Sequence, residues 1–526
     1  MTEPFQLPAS LKGFRVHLVG IKGTGMAALA EVLSSRGARI TGSDTSEKFY
    51  TDAVLSRLGI PYRETFSAEN LPRDTQLVVH SAAYRAEDNP ELRAAVEMHL
   101  PALIYPQALG ALSAQSDSSG ISGVHGKSTT TALCGMILKA WGFPATVVVG
   151  AEVPGFGNRS TLTEGDQFLV AETCEYRRHF LNFHPRRIVI TSIEPDHLDY
   201  FRDLEDLLAA FTEYGTRMPP GGVLIYCSDD PGAREAARRV RGQRPDLVAI
   251  PYGRNAEGLY RVTGEQVGSG RTVFRVAGVP VQLELRIPGA HNVLNATAAL
   301  ALCSHVWDAQ RRGQQPDWAA AAAGLRSFTG SRRRSEIVGE AGGVLFVDDY
   351  AHHPTAIQKT LEGMRHFYPG RRLIVDFMSH TYSRTRALLA QFGTCFSAAD
   401  EVILHRIYAS ARESNEGGIR GQDLYEEVRR HHPSVRYIEE PASAAAELAG
   451  GLRAGDLFIT MGAGDNWKIG RELLRLRGGS AAGGNVEAGG VAGGNVEAGG
   501  AAGGNVEAGS AAGGSAVDGS TGGTTE

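Results

Sequence analysis

Residues 120–142 read GISGVHGKSTTTALCGMILKAWG, which predicts a short strand, a glycine-rich turn and an apolar-periodic helix. Glycines at such a turn let backbone amides approach phosphate oxygens, and the helix directs its positive end toward them. Ile121 replaces the first glycine of the longer phosphate-loop pattern, so a plain turn with a solvated lysine is the alternative. We interpret the stretch as a phosphate-binding loop made by Gly123, Val124, His125, Gly126, Lys127, Ser128 and Thr129.

The alternation of short β-branched runs with helical stretches occurs three times and predicts an α/β fold built on parallel sheets. A strand at 14–19 opens the first unit, and a polar loop at 113–119 precedes the second. The third unit starts near Arg333. We therefore predict three domains, at 1–115, 116–328 and 329–477. Further strands are predicted at 38–44, 75–82, 168–172, 187–193, 344–350, 372–378, 401–408 and 456–465.

Residues 478–526 differ in composition from the rest of the chain. They repeat the decapeptide AAGGNVEAGG with small changes and contain no aromatic residue. Such a segment cannot bury enough apolar surface to offset the entropy of ordering it. We predict a disordered tail.

Composition excludes several classes of protein. The chain of 526 residues has 53 basic and 58 acidic groups, and the five acids after Arg477 leave residues 1–477 with equal numbers. A nucleic-acid-binding protein would normally carry a basic excess. There is no apolar run long enough to cross a bilayer and no signal-peptide pattern, so we expect a cytoplasmic protein without membrane insertion. The five scattered cysteines are consistent with free thiols in a reducing compartment.

Acidic residues follow the two strands predicted after the phosphate loop. Glu172 and Glu175 lie at the end of one strand, and Glu194, Asp196, His197 and Asp199 follow the next. The carboxyl ends of adjacent parallel strands converge where the phosphate loop also lies. These side chains are therefore candidate metal ligands, although a histidine is an unusual ligand for magnesium.

Other motifs leave alternatives open. Asn292 and Asn295 could bind an adenine edge or cap the helix they begin. The glycine turn at 20–26, with Ser43-Asp44 after the second strand, could bind the pyrophosphate and ribose of NAD or equally of UDP. The arginines of GSRRRSE (330–336) are a solvated run or reach a nucleotide across a closing cleft.

The motifs together, in this order, resemble the Mur ligases, and within that family the alanine-adding branch. The resemblance covers about 12–472 and is carried by HLVGIKGTGMAALAEVL, SGVHGKSTTT, AETCEY with DHLDYF, HNVLNA, DDYAHHPT, SHTYSRT, IYASARE and MGAGDNWKIG. It implies a Rossmann-like N-terminal UDP-binding domain, a P-loop ATPase-like central domain and a Rossmann-like C-terminal domain. It also implies that ATP phosphorylates the lactyl carboxylate of UDP-N-acetylmuramate, and that L-alanine attacks the acyl phosphate.

The resemblance implies roles for individual residues. Lys127, Glu172 and His197 would be catalytic, and Ser128, Glu172 and His197 would bind Mg²⁺. Asn292, Arg333 and Asp349 would join the phosphate loop in binding ATP. The UDP-sugar would contact Gly23, Thr24, Gly25, Met26, Ser43, Asp44, Ser81, His125 and Glu175. Tyr350, His352 and Arg384 would hold alanine or the acyl phosphate.

Two departures and one absence refine the assignment. Ser128 stands where relatives more often have Thr, and Thr381 stands where many have Arg. Residues 194–216 contain no lysine, whereas ligases for later residues place a carbamylated lysine there. Three alternatives remain: a ligase that attaches a preformed tripeptide to the same UDP-sugar, an NAD-dependent oxidoreductase, and a binding protein without catalysis.

Overall fold

The computed structural model describes residues 5–197, 200–268, 270–409 and 418–479. Asp199, most of the IYASARE block and nearly all of the predicted tail lie outside these ranges. In the described part, no helix is both long and apolar enough to cross a membrane.

The first sheet has five parallel strands in the order β3-β2-β1-β4-β5. Its strands are β1 (Arg15–Val19), β2 (Arg39–Ser43), β3 (Tyr62–Arg63), β4 (Leu77–His80) and β5 (Ala102–Ile104). Its helices are α1 (Thr24–Ser35), α2 (Thr51–Arg57), α3 (Pro90–Glu97) and α4 (Tyr105–Ser113). The glycine turn between β1 and α1 lies at the carboxyl edge of this sheet, where ligands bind in open α/β sheets.

The second sheet has seven strands in the order β12-β11-β10-β6-β9-β7-β8, of which only β8 is antiparallel. Its strands are β6 (Asp117–Ser122), β7 (Ala145–Val153), β8 (Arg159–Thr163), β9 (Phe168–Glu172), β10 (Arg187–Ile190), β11 (Val223–Cys227) and β12 (Val248–Tyr252). A small antiparallel sheet follows, made of β13 (Val262–Gly268), β14 (Arg271–Val276) and β15 (Leu283–Leu285). The helices of this part are α5 (Lys127–Ala140), α6 (Leu204–Thr216), α7 (Pro231–Gln243), α8 (His291–Gln310) and α9 (Trp318–Ser327).

The third sheet has six strands in the order β16-β17-β21-β18-β19-β20, of which only β16 is antiparallel. Its strands are β16 (Glu336–Ala341), β17 (Val344–Asp349), β18 (Arg372–Phe377), β19 (Glu401–Leu404), β20 (Val435–Tyr437) and β21 (Asp456–Met461). Its helices are α10 (Pro354–Phe367), α11 (Tyr382–Ala387), α12 (Leu389–Thr394), α13 (Gly421–Arg429), α14 (Pro441–Ala449) and α15 (Trp467–Leu476).

The predicted α/β class is confirmed by these three parallel-rich sheets. Several strands end earlier than predicted: β10 stops at Ile190 rather than 193, β19 at Leu404 rather than 408, and β21 at Met461 rather than 465. The apolar residues beyond these ends belong to loops that leave the carboxyl edges of the sheets. The domain limits at 115 and 328 stay predictions.

Apolar packing joins the first two sheets more closely than the third. One continuous core includes residues of both, because α1 packs against β7 and β8. The third sheet has separate cores on its two faces. The site between the second and third sheets is therefore bounded by two units with independent cores.

Candidate active site

The predicted phosphate loop connects β6 to the start of α5. Gly123 has φ +128° and Gly126 has φ +82°. Residues that carry a Cβ atom rarely adopt these backbone conformations. A Cβ on Gly123 would lie 2.1 Å from Thr191 Oγ1, and one on Gly126 would lie 2.5 Å from Asn295 Oδ1. Both glycines are therefore required by conformation and by space.

Lys127 lies at the first position of α5 and is held by an acidic partner. Its Nζ donates to the Gly123 carbonyl at 2.6 Å and lies 3.0 Å from both carboxylate oxygens of Glu175. Burial alone would lower the pKa of Lys127, but the nearby Glu175 carboxylate outweighs it and the pKa is raised. The pKa of Glu175 is lowered because Lys127 and His197 offset its burial. Lys127 is therefore a cation inside the site before any phosphate arrives.

Glu172 is a buried carboxylate at the end of β9. Among the described residues, neither of its carboxylate oxygens has a hydrogen-bond partner. An unpaired buried carboxylate is costly unless a cation compensates it. Ser128 and His197 line the same cavity, and His197 Nε2 lies 3.4 Å from Glu175 Oε1. The donor set therefore fits a divalent cation bound largely through oxygen.

One cavity of about 260 Å³ lies between the second and third sheets. It is lined by Ser128, Glu172 and His197, the predicted magnesium ligands, and by all the residues predicted to bind ATP except Gly123 and Arg333. Tyr350 and His352, predicted for the acceptor, line it as well. A second, smaller cavity places Thr24 and Gly25 of α1 across from Glu172.

The asparagines of α8 lie beside the phosphate loop. Asn292 donates through Nδ2 to the Pro288 carbonyl at 2.6 Å and accepts from Asn295 Nδ2 at 2.9 Å. The residue preceding the helix is Ala290, which has no side-chain cap. Neither asparagine is thus the N-cap of α8, and both line the cavity.

Polar groups of the third sheet face the cavity from the opposite side. Asp349 accepts hydrogen bonds from Ser335 N and Ala351 N, at 2.6 and 2.8 Å. Its burial raises its pKa, against the opposing charge of Arg334. His352 Nδ1 is 2.9 Å from the Tyr350 carbonyl, and burial together with Arg384 lowers the pKa of His352 well below its usual value. His352 is therefore a neutral imidazole.

Arg384 connects the third unit to the second. Its Nη2 donates to Asp196 Oδ1 at 3.0 Å, and the two side chains are 10% and 8% exposed. Burial would raise the pKa of Asp196, but Arg384 holds it well below its ordinary value. Thr381 accepts the Arg384 backbone N–H at 3.4 Å and so caps α11.

Three family models match successive parts of the chain: the Mur ligase catalytic domain at 15–117, the Mur ligase middle domain at 121–303 and the Mur ligase glutamate ligase domain at 333–464. A UDP-N-acetylmuramate–L-alanine ligase of Treponema pallidum is 49% identical over 89% of this chain and 97% of its own length. One from Desulfitobacterium hafniense is 42% identical over 87% of this chain and 99% of its own length. The chain belongs to the Mur ligase family.

Solved structures of Mur ligases share this fold. The UDP-N-acetylmuramate–alanine ligase of Thermotoga maritima matches with a TM-score of 0.70 and 24% identity, over 88% of this chain and 98% of that one. A murein peptide ligase of Psychrobacter arcticus matches with a TM-score of 0.61 and 21% identity, over 89% of this chain and 100% of that one.

In this Mur ligase, Arg334 rather than Arg333 lines the cavity. Arg333 has φ +57°, and its guanidinium bonds Asp348 Oδ2 at 3.0 Å and the Gly462 carbonyl at 2.7 Å. Both arginines lie against the Tyr350 ring, at 5.2 and 5.0 Å from its centroid. Arg333 therefore points toward the third sheet in this structure, and its predicted phosphate contact stays a prediction.

The predicted UDP-sugar residues of the N-terminal unit divide into two groups. Gly23 to Met26 form the turn and first residues of α1, and Ser81 lies beside Gly20 at the end of β4. Ser43 is instead completely buried, and its hydroxyl donates to Glu91. Both oxygens of Asp44 accept backbone N–H groups, from Lys22 and Thr45. Asp44 therefore holds the backbone of the glycine turn, and the Ser43 side chain makes its contact inside the unit.

Sequence reasoning missed several residues of the site. Glu194, named only as a general metal candidate, bonds His125 and lies 3.6 Å from His353 Nδ1. Lys359 of α10 lines the cavity beside these groups. The sequence AHHPT contains both His352 and His353. Spacing along the chain does not show which of these two adjacent histidines contacts Glu194, 159 positions earlier.

Proposed function

We propose that this protein joins L-alanine to the lactyl carboxylate of UDP-N-acetylmuramate at the expense of ATP, a step of peptidoglycan precursor synthesis. The observation that carries the proposal is the cavity in which the phosphate loop, the Lys127–Glu175 pair and the unpaired Glu172 carboxylate meet the third unit. Relatives named for this reaction cover nearly the whole described chain. ATP and the UDP-sugar are substrates found in the cytoplasm, so we propose that the enzyme is cytoplasmic.

ATP binding is assigned to the phosphate loop, α8 and the start of the third unit. Backbone amides of residues 123–129 would surround the phosphates, and Asn292 and Asp349 lie where a nucleoside would follow. Arg334 would approach the phosphates from the third unit. Ser128, Glu172 and His197 would hold Mg²⁺, which neutralises phosphate charge during transfer.

The first chemical step makes a carboxylate reactive. A lactyl oxygen attacks the γ-phosphorus of ATP, the bond to ADP breaks, and an acyl phosphate forms. Lys127 stabilises the charge on the transferred phosphoryl group. In the absence of nucleotide, Glu175 holds this ammonium in place, so little reorganisation is needed when phosphate binds.

The second step forms the amide. The amine of L-alanine attacks the acyl carbon, the bond to phosphate breaks, and inorganic phosphate leaves. L-Alanine attacks as its free amine, and the proton lost when the amide forms leaves with phosphate. His352 would accept a hydrogen bond from that amine, because its Nδ1 faces the Tyr350 carbonyl and Nε2 keeps a lone pair. Its lowered pKa keeps it neutral.

The identity of the acceptor is tested by ADP release in the presence of UDP-N-acetylmuramate. We expect release to depend on L-alanine, with no activity on L-Ala-γ-D-Glu-meso-diaminopimelate. Activity only with the tripeptide would identify a recycling ligase instead. Tight NAD binding without binding of the UDP-sugar would identify an oxidoreductase and overturn the proposal.

A further inference from the structure

Two histidines and a glutamate meet at the junction of the second and third units. His125 lies in the phosphate loop, Glu194 follows β10, and His353 immediately precedes α10. Glu194 Oε1 bonds His125 Nε2 and lies 3.6 Å from His353 Nδ1. One ligand atom from each of the three residues lies within 4.8 Å of the other two. Three separate elements thus direct donor atoms at one point.

The donors differ from those around Glu172. Two imidazole nitrogens and one carboxylate form the ligand set of a transition metal such as Zn²⁺, whereas Mg²⁺ prefers oxygen. Zinc binds these ligands at about 2.0 to 2.2 Å. The ion would therefore replace the hydrogen bond between His125 and Glu194, and these two side chains would move apart to admit it. His125 and Glu194 are about a quarter exposed, which leaves a path from solvent.

The carboxylate is also supported from outside the cluster. Thr355 Oγ1 donates to Glu194 Oε2 at 3.1 Å, while Oε1 faces the two imidazoles. A hydrogen bond to the outer oxygen of a ligating carboxylate is the usual arrangement at protein metal sites. His353 is almost completely buried, so its ring is held in one orientation.

We propose that His125, Glu194 and His353 form a binding site for a divalent transition metal of the zinc class, separate from the magnesium position at Glu172. Because the ligands come from both the second and the third unit, a bound ion ties the phosphate loop to α10. It fixes the relative position of units that otherwise have independent cores. No step of the ligase reaction depends on this ion.

The test is titration of the nucleotide-free full chain with Zn²⁺ alone by calorimetry, and with Co²⁺ followed by its visible absorption. We expect one tight site and a rise in the melting temperature with Zn²⁺. Glu194→Gln keeps a hydrogen-bonding amide but removes the anionic ligand. His353→Asn keeps a side chain that can cap α10. Each change should weaken Zn²⁺ binding by more than about 100-fold, beyond the cost of losing an outer partner.

Two matched controls separate this site from its neighbours. Glu172→Gln removes the predicted magnesium ligand, and Cys174→Ser removes the thiol that lines the same cavity. Both should leave Zn²⁺ affinity unchanged. Absence of tight Zn²⁺ binding by the wild-type chain overturns the proposal. So does binding that survives in Glu194→Gln or that is lost in Cys174→Ser. Circular dichroism tests whether each variant is folded. If only one of Glu194→Gln and His353→Asn folds, its Zn²⁺ affinity alone decides whether the cluster binds the ion.

Discussion

Glu175 is the acidic partner of Lys127 in the predicted phosphate loop. Its fully buried carboxylate lies between Lys127 and His197 and supplies the negative charge that balances both side chains. A buried ammonium without such a partner would lose its proton or lie elsewhere. The pair therefore explains how a lysine stays charged in a largely buried position.

Lys127→Ala should remove most turnover and leave UDP-sugar binding nearly intact. The reason is that Lys127 acts on phosphate in transfer, and kcat should fall by at least about 100-fold. Lys139→Ala, an exposed lysine at the other end of α5, is the control and should keep the wild-type rate. A near-normal rate for Lys127→Ala would show that the role given to the loop is wrong.

Glu172→Gln should raise the melting temperature in magnesium-free buffer while it abolishes magnesium-dependent turnover. Both oxygens of Glu172 are buried without partners among the described residues, so the charge costs stability and is retained for a cation. Thermal unfolding with and without Mg²⁺ measures the difference. If the wild-type chain is the more stable one without Mg²⁺, the carboxylate is not held unpaired.

At the scale of elements, the two ends of α5 both depend on glycine but for different reasons. Gly126 before the helix has φ +82° and faces Asn295, whereas Gly142 after it has φ +63° and open space around its Cα. The first position is constrained by conformation and by α8, the second by conformation alone.

Gly126→Ala should therefore abolish ATP binding, because its methyl group would push the loop away from α8. Gly142→Ala has the same backbone strain and should cost about 1 to 2 kcal/mol of unfolding free energy while ATP binds normally. Calorimetric titration with ATP and chemical denaturation of both variants provide the comparison. Equal loss of ATP binding in both would mean that strain, rather than the contact with Asn295, disrupts the loop.

At the scale of the whole molecule, the Asp196–Arg384 pair joins the second and third units through buried charges. The pKa of Asp196 is lowered in the folded protein, so its ionisation stabilises the fold above its ordinary pKa of 3.8. That contribution disappears as the pH falls through the folded value.

Asp196→Asn should cost about 3 to 5 kcal/mol near neutral pH, because it breaks an ion pair that is largely shielded from solvent. The difference in melting temperature from the wild type should narrow as the pH falls below about 4. Asp246→Asn, which breaks the exposed pair with Arg244, should change little at any pH. A wild-type advantage that stays constant across this range would exclude ionisation of Asp196 as its source.

Short motifs were sufficient for the fold class, for the glycine turn before α5 and for the position of Glu172 at the end of β9. Their chemistry is local: glycines with positive φ precede a helix, and an acid ends a strand at the carboxyl edge of a parallel sheet. Six of the eight motif blocks lie wholly within the described residues, and the roles inferred from them stay predictions to be tested by the variants above.

Only the tertiary structure decided how neighbouring side chains divide between the cavity and the interior. Arg333 and Arg334 are equivalent in the sequence, but the left-handed backbone at Arg333 sends its guanidinium to Asp348 and leaves the cavity to Arg334. Ser43 ends a strand as a ligand contact would, yet its hydroxyl meets Glu91 inside the unit. His125, Glu194 and His353 meet because three separate elements converge at the junction of two units. The direction of each side chain there depends on packing between the units, which spacing along the chain does not determine.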